Sequence, residues 1–130
     1  MTHKELSDDV RQVVVEMVNS IDTKDWKRAL DRFDDSVFVD YSSMTGQPGA
    51  NTPARDLVSG WEKLLANAGT HHMLTNFEVV IDSRSARVAS HVYASHVAQD
   101  IEHWDIYGRY LHDLKKTSRG WKITSMTLPP

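Results

Sequence analysis

The sequence predicts an α+β domain: a curled antiparallel sheet packed on three N-terminal helices. Apolar residues recur at helical spacing through the first half, while the second half holds four long stretches of strand composition. The connectors between those stretches are Asp82-Ser83-Arg84, Gln99-Asp100-Ile101-Glu102 and Thr117-Ser118-Arg119-Gly120, short enough that successive strands run antiparallel. Helices followed by such strands bury their apolar stripes when the sheet curls over them, and a cavity is left between the two layers.

In the first helix Leu6, Val10, Val13, Val14, Met17, Val18 and Ile21 mark one face. Thr2-x-x-Glu5 reads as a capping box at its start, with Ser7 as an alternative cap. A second, shorter helix runs through Trp26, Ala29, Leu30 and Phe33. Asp22-Thr23 and the early Asp25 mark its N-terminus, so Asp22 sits at the joint between two helices, well placed as a cap. Residues 36–41 alternate as a strand, with Val37, Val39 and Tyr41 on one face and Phe38 and Asp40 on the other. Residues 42–51 are rich in turn formers, and a loop longer than the usual ~4–6 residues often covers a site. Thr52 caps and Pro53 opens a third helix, with Leu57, Trp61, Leu64 and Leu65 as its buried stripe and Asn67-Ala68-Gly69 as its end. The strands then cover residues 70–81, 85–98, 103–116 and 121–128. In the second of them Ala86, Val88, Val92, Ala94 and His96 share a face opposite Arg87, His91 and Tyr93, which places His96 among apolar residues. Trp26, Trp61 and Trp121 read as core.

A chain of 130 residues fits one domain, 1–130, by the usual ~100–200 residues per domain. Its formal charge of -3 offers neither a basic stripe for nucleic acid nor a polybasic patch for a membrane, which leaves small molecules as the expected partners. The absence of cysteine removes disulfides, thiolate nucleophiles and sulfur-ligated metals. Neither an N-terminal export segment nor an apolar run of ~18 residues is present, so a cytoplasmic protein is expected. The outer sheet face, with His91, Tyr93 and Trp104, points to association as a homodimer or homotrimer; His103, Asp105 and Tyr107 share a face and could add to that contact.

The stretch Thr70-His71-His72-Met73 opens the first long strand. Alternation turns adjacent histidines to opposite faces, so one looks into the cavity and one away; His72 is read as the inward residue. A histidine titrates near neutral pH unaided, which makes an inward one a natural proton handler. The competing account is a core histidine bonded to a backbone carbonyl. No metal is expected, since His71 and His72 diverge, His91 and His96 have opposite parity, and no His-x-x-x-His lies on a helix. Ser42 and Ser43 have no histidine at a recognisable motif spacing, so a serine hydrolase has no support.

Ile21-Asp22-Thr23-Lys24-Asp25-Trp26, Val39-Asp40-Tyr41, Thr70-His71-His72, and Gly108-Arg109-Tyr110 leading to Arg119-Gly120-Trp121-Lys122-Ile123 appear in an order that resembles the nuclear transport factor 2 superfamily of cone-shaped, cystatin-like α+β domains. The closer likeness is to its SnoaL-like branch, which also holds scytalone dehydratase, bile acid 7α-dehydratase and hexachlorocyclohexane dehydrochlorinase. The last motif specifies fold; the first three are those of a lyase-type pocket. The resemblance implies that the family's catalytic histidine falls on His72 and the aspartate that holds it on Asp22. It further implies that the tyrosine polarising a substrate oxygen falls on Tyr41 and a second acid/base residue on His96. Two positions depart from scytalone dehydratase: Ile21 stands where that enzyme has a second pocket tyrosine, and Tyr110 where it has an asparagine. The C-terminal extension that caps its pocket has no counterpart here.

These residues imply a cofactor-independent lyase or isomerase acting on a small cyclic or polyketide-like hydroxy-carbonyl compound. A carboxylate bonded to one imidazole nitrogen fixes the tautomer and steadies the imidazolium, Tyr41 donates to the oxygen where charge develops, and His96, if protonated, serves the departing hydroxyl. Asp22 as a helix cap, and Tyr41 and His96 as packed residues with one satisfied polar tip, are the alternatives at each position. For the whole chain the alternative is a non-catalytic domain of the same fold that binds a ligand or assembles with partners.

Overall fold

The computed structural model describes residues 1–99 and 102–129. Its elements, in chain order, are α1 (His3–Asp22), α2 (Trp26–Asp31), β1 (Phe33–Asp40), α3 (Ser42–Thr45), β2 (Ala50–Pro53), α4 (Ala54–Leu64), β3 (Ala68–Asp82), β4 (Ser85–Ala98), β5 (Trp104–Thr117) and β6 (Gly120–Thr127). The connector expected over residues 99–102 lies partly outside the described residues.

Thr2 caps α1, its hydroxyl accepting the Glu5 N–H at 3.1 Å. The helix buries Val10, Val14, Met17, Val18 and Ile21, the stripe its spacing predicts. Asp25, not Asp22, caps α2, accepting the Arg28 N–H at 3.2 Å. The helix-cap role expected for Asp22 is therefore corrected: Asp22 is the last residue of α1, and its carboxylate is turned elsewhere. Lys24 adopts a left-handed conformation (φ 59°) between the two helices, which makes this joint an abrupt turn. Phe33 opens β1 and is not part of α2.

The six strands form one curved, unclosed sheet in the order β2-β1-β6-β5-β4-β3. All neighbours are antiparallel except β1 and β6, which run parallel, with Val39 opposite Met126. Thr52 and Pro53 belong to β2, where Thr52 lies opposite Val37, so the helix start expected there moves to Ala54. The single helical turn α3 lies inside the stretch whose composition suggested a loop, and β2 begins there. Leu64, expected in the buried stripe of α4, is 75% exposed; Ala54 and Val58 are buried instead, with Leu65 just beyond the helix.

The strand β3 carries a bulge between Thr75 and Glu78, at which Asn76 has φ 56°. The bulge exchanges faces: His72 and Leu74 turn inward before it, and Phe77, Val79 and Ile81 pack on the core after it. The main core joins α1, α2 and α4 to Phe33, Val37, Val88, Leu114, Trp121, Ile123 and Met126. A second, smaller cluster of Val92, Ala94, Tyr110 and Leu128 lies toward the opposite end of the sheet, touching Tyr41, Leu74 and Ile106. Among the described residues no helix is long and apolar enough to cross a membrane.

Candidate active site

The second cluster surrounds a cavity of about 310 Å³ between the sheet, α1 and the end of α4. Its walls include Met17, Ile21, Trp61, Val92, Ala94 and Leu128, and its polar groups come from Tyr41, Thr70, His72, His96 and Tyr110. All four residues expected at the site are thus brought to one place: three line the cavity, and Asp22 stands directly behind His72. Among the described residues no group of three His, Cys, Asp or Glu side chains converges to hold a metal ion.

Asp22 reaches β3 because α1 ends against it. Thr70 and His72 are two residues apart, so both face the same way and both meet this carboxylate. The hydroxyl of Thr70 donates to Asp22 Oδ1 at 2.8 Å, and the His72 Nδ1 lies 2.6 Å from the same oxygen. The backbone N–H of His72 donates to Asp22 Oδ2 at 2.8 Å. Since β3 is an edge strand, alternate N–H groups on it have no ladder partner, and Asp22 satisfies one of them. Burial alone would raise the Asp22 pKa, but the hydrogen bonds from His72 and Thr70 outweigh it and hold the carboxyl below the usual carboxylate range. An ionised Asp22 only accepts, which assigns a proton to Nδ1 of His72, so that in the neutral ring Nε2 is the lone-pair acceptor. His71 is exposed on the opposite face.

His96 lies one strand away, its ring centroid 6.3 Å from that of His72 and edge-on to it. Its other side stacks on Trp104, centroids 4.6 Å apart and planes within 7°. Trp104 therefore faces the cavity, and its expected place on the outer sheet face is corrected: parity groups it with the inward Ile106 and Tyr110. Burial lowers the His96 pKa below its ordinary value, which favours the neutral ring at pH 7.

The Tyr41 and Tyr110 hydroxyls, which line the same cavity, lie 3.1 Å apart. Tyr41 follows β1 and starts α3, while Tyr110 comes from β5. Burial and the neighbouring phenol push the Tyr41 pKa well up, and burial raises that of Tyr110 even though Tyr41 hydrogen-bonds to it. Both stay protonated at neutral pH. One O–H is used within the pair, and the other is free to point at a bound oxygen.

Sequence reasoning missed Thr70 as a partner of Asp22, the Tyr41–Tyr110 pairing and the Trp104–His96 stack. The parity of Thr70 with His72, and of Trp104 with Tyr110, carried two of these signals; the tyrosine pairing depends on where β1 meets the sheet. A wider groove of about 990 Å³ runs between α2, β1 and the start of α4. It is lined by charged residues, several of them paired, as Arg32 is with Asp31 and Arg119 with Asp35, and it lies open to solvent. The smaller cavity, where acid–base groups converge on apolar walls, is the stronger candidate.

Fold and cavity together define a cone-like α+β domain with a histidine–aspartate pair at the wall of an apolar chamber. The chain belongs to the SnoaL-like domain family, whose model matches residues 3–127. Among solved structures, a Kribbella flavida protein is similar at 25% identity and a TM-score of 0.89, over 96% of this chain and 90% of that one. A scytalone dehydratase candidate from Novosphingobium aromaticivorans is similar at 22% identity and a TM-score of 0.82, over 98% and 87% of the two chains. A candidate dehydratase of the NTF2-like family from Streptomyces avermitilis has 13% identity and a TM-score of 0.82, over 99% and 98%. The last two likenesses are of fold. No functionally curated protein matches the chain.

Proposed function

We propose that the chain is a cofactor-independent lyase of dehydratase type acting on a small, uncharged hydroxy-carbonyl compound. The observation that carries this is the His72–Asp22 contact at the wall of an apolar cavity that a pair of neutral tyrosines also lines. Nε2 of His72 takes the proton from the carbon beside the carbonyl, and Asp22 steadies the imidazolium. The electron pair of the broken C–H bond moves onto the carbonyl oxygen, which accepts from the Tyr41–Tyr110 pair. Collapse of that enolate forms the C=C bond and breaks the C–O bond to the β-hydroxyl. The leaving hydroxide takes back the proton held on His72 and departs as water. His96, neutral in its stack, hydrogen-bonds the departing group. Omitting the loss of hydroxide and returning the proton to a different carbon gives the isomerase version of the same chemistry.

The lining supports an uncharged substrate. No Lys or Arg side chain lines the cavity among the described residues, so a carboxylate or phosphate would be desolvated without a cation. The volume is about twice the ~150 Å³ apolar cavity that admits benzene, which suits a molecule of one or two rings.

The experiment is turnover of a panel of cyclic and acyclic β-hydroxy ketones, followed as loss of water by enone absorbance. Replacing His72→Ala or Asp22→Asn should lower kcat by about 10²–10⁴-fold with the circular dichroism spectrum unchanged. Full activity in either variant would remove the mechanism. Stoichiometric ligand binding with no turnover by the parent chain would favour the non-catalytic alternative.

A further inference from the structure

The mouth of the cavity is rimmed by apolar side chains that reach both the chamber and solvent. Met44 on α3 is 51% exposed, Leu64 at the end of α4 75% and Trp104 at the start of β5 40%, and all three line the cavity. Three elements far apart in sequence thus deliver large apolar groups to one opening. Scattered exposed apolar residues need no explanation, but a group converging on the entrance of an apolar chamber marks a contact surface. The rim is held in place. Trp104 is stacked on His96, and α4 is tied at its C-terminal end by Lys24, whose ammonium donates to the Leu65 carbonyl at 2.8 Å. That bond also occupies the cation next to the opening, and no Asp, Glu, Lys or Arg lines the cavity or its rim among the described residues.

We propose that Met44, Leu64 and Trp104 form an outer subsite for a hydrocarbon extension of the substrate, so that the natural ligand has two parts: an uncharged carbonyl-bearing ring within the chamber and an alkyl or aryl arm lying across the mouth. The proposal rests on the small-molecule assignment above and adds to it which ligands are preferred. Continuity decides in favour of a ligand arm over a protein partner, because Met44, Leu64 and Trp104 line the same cavity as the chamber residues, so a group seated inside continues onto them.

The test measures binding, so that it is independent of turnover. A series of 4-alkylacetophenones, from methyl to butyl, is titrated by calorimetry into the parent chain and into Leu64→Ser and Met44→Ser, both changes at exposed positions. Transfer of each methylene onto apolar surface is worth about fourfold, so the butyl member should bind the parent chain roughly 50-fold more tightly than the methyl member. In the variants that ratio should fall below about tenfold. A parent ratio near one, an equal ratio in the variants, or no binding by any member overturns the subsite. So does a Leu64→Ser change that alters the sedimenting mass while the ratio is kept, which would make the rim a contact between copies of the chain. Failure of the dehydratase assignment shows separately, as absence of hydroxy-ketone turnover with the alkyl ratio intact.

Discussion

His112 and the two cavity tyrosines illustrate how single side chains are set by what surrounds them. The Tyr110 ring meets the His112 ring edge-on at 4.8 Å, and His112 is fully buried, with neither ring nitrogen hydrogen-bonded among the described residues. Burial pulls its pKa from 6.5 down to about 4. Between these two values the unfolded chain binds a proton that the folded chain refuses. The contribution to stability is therefore complete above about pH 6.5 and is lost as the pH falls toward 4, a difference of roughly 3 kcal/mol at most. Urea unfolding at about pH 7 and about pH 4.5 should show a smaller loss for His112→Leu than for the parent chain. Asp22, whose carboxyl is held below 3.8, adds its own loss at still lower pH. For the tyrosines, Tyr41→Phe and Tyr110→Phe should each lower kcat by about 10²-fold, as removal of an oxyanion donor does. The double variant should lose much less than the product of the two, because the hydroxyls act as one unit.

Among the elements, the bulge in β3 and the cap of α2 separate what pattern can foretell from what it cannot. Asn76 tolerates its left-handed backbone, whereas a β-branched side chain there would cost about 1–2 kcal/mol. Asn76→Val should lower the urea midpoint accordingly, and Asn76→Gly should not. Asp25→Ala should cost about 1 kcal/mol through the lost cap and leave turnover intact, the opposite of the outcome at Asp22. Asp22 and Asp25 both suit a cap by sequence, and only the approach of β3 decides between them. Where one face of a strand is wholly buried, alternation sufficed: β4 has the bounds its pattern predicts, and His96 faces the cavity as parity required. Leu64 keeps helical phase with Leu57 and Trp61, but periodicity cannot show that α4 projects beyond the core at that point. The bulge was hidden because Phe77, Val79 and Ile81 alternate as well as His72 and Leu74 do, one residue out of step. The four residues of β2 are too few to leave a pattern, and the inward place of Trp104 follows from its parity with Tyr110 only once Tyr110 is known to line the cavity.

At the scale of the molecule, the larger core and the cavity share a wall, to which Met17, Ile21, Leu65 and Met126 all belong, while Leu114 lies in the core alone. Leu114→Ala should therefore cost about 2–5 kcal/mol. Tyr110→Phe, at the cavity, should cost far less, as thermal unfolding of the two variants would show. The placement of β6 has a further effect, on the timing of assembly. It lies between β1 and β5, yet it follows both in the chain, Gly120 coming 87 positions after Phe33. At the ~5–20 residues per second of synthesis, the strand that joins the two halves emerges roughly 4–17 s after the first. Until then β1 and β2 can only form an isolated ribbon while β3, β4 and β5 build a separate meander. A nascent chain stalled before residue 120 should be cut readily by protease within its first strands, and a chain stalled far enough beyond residue 127 to clear the exit tunnel should resist.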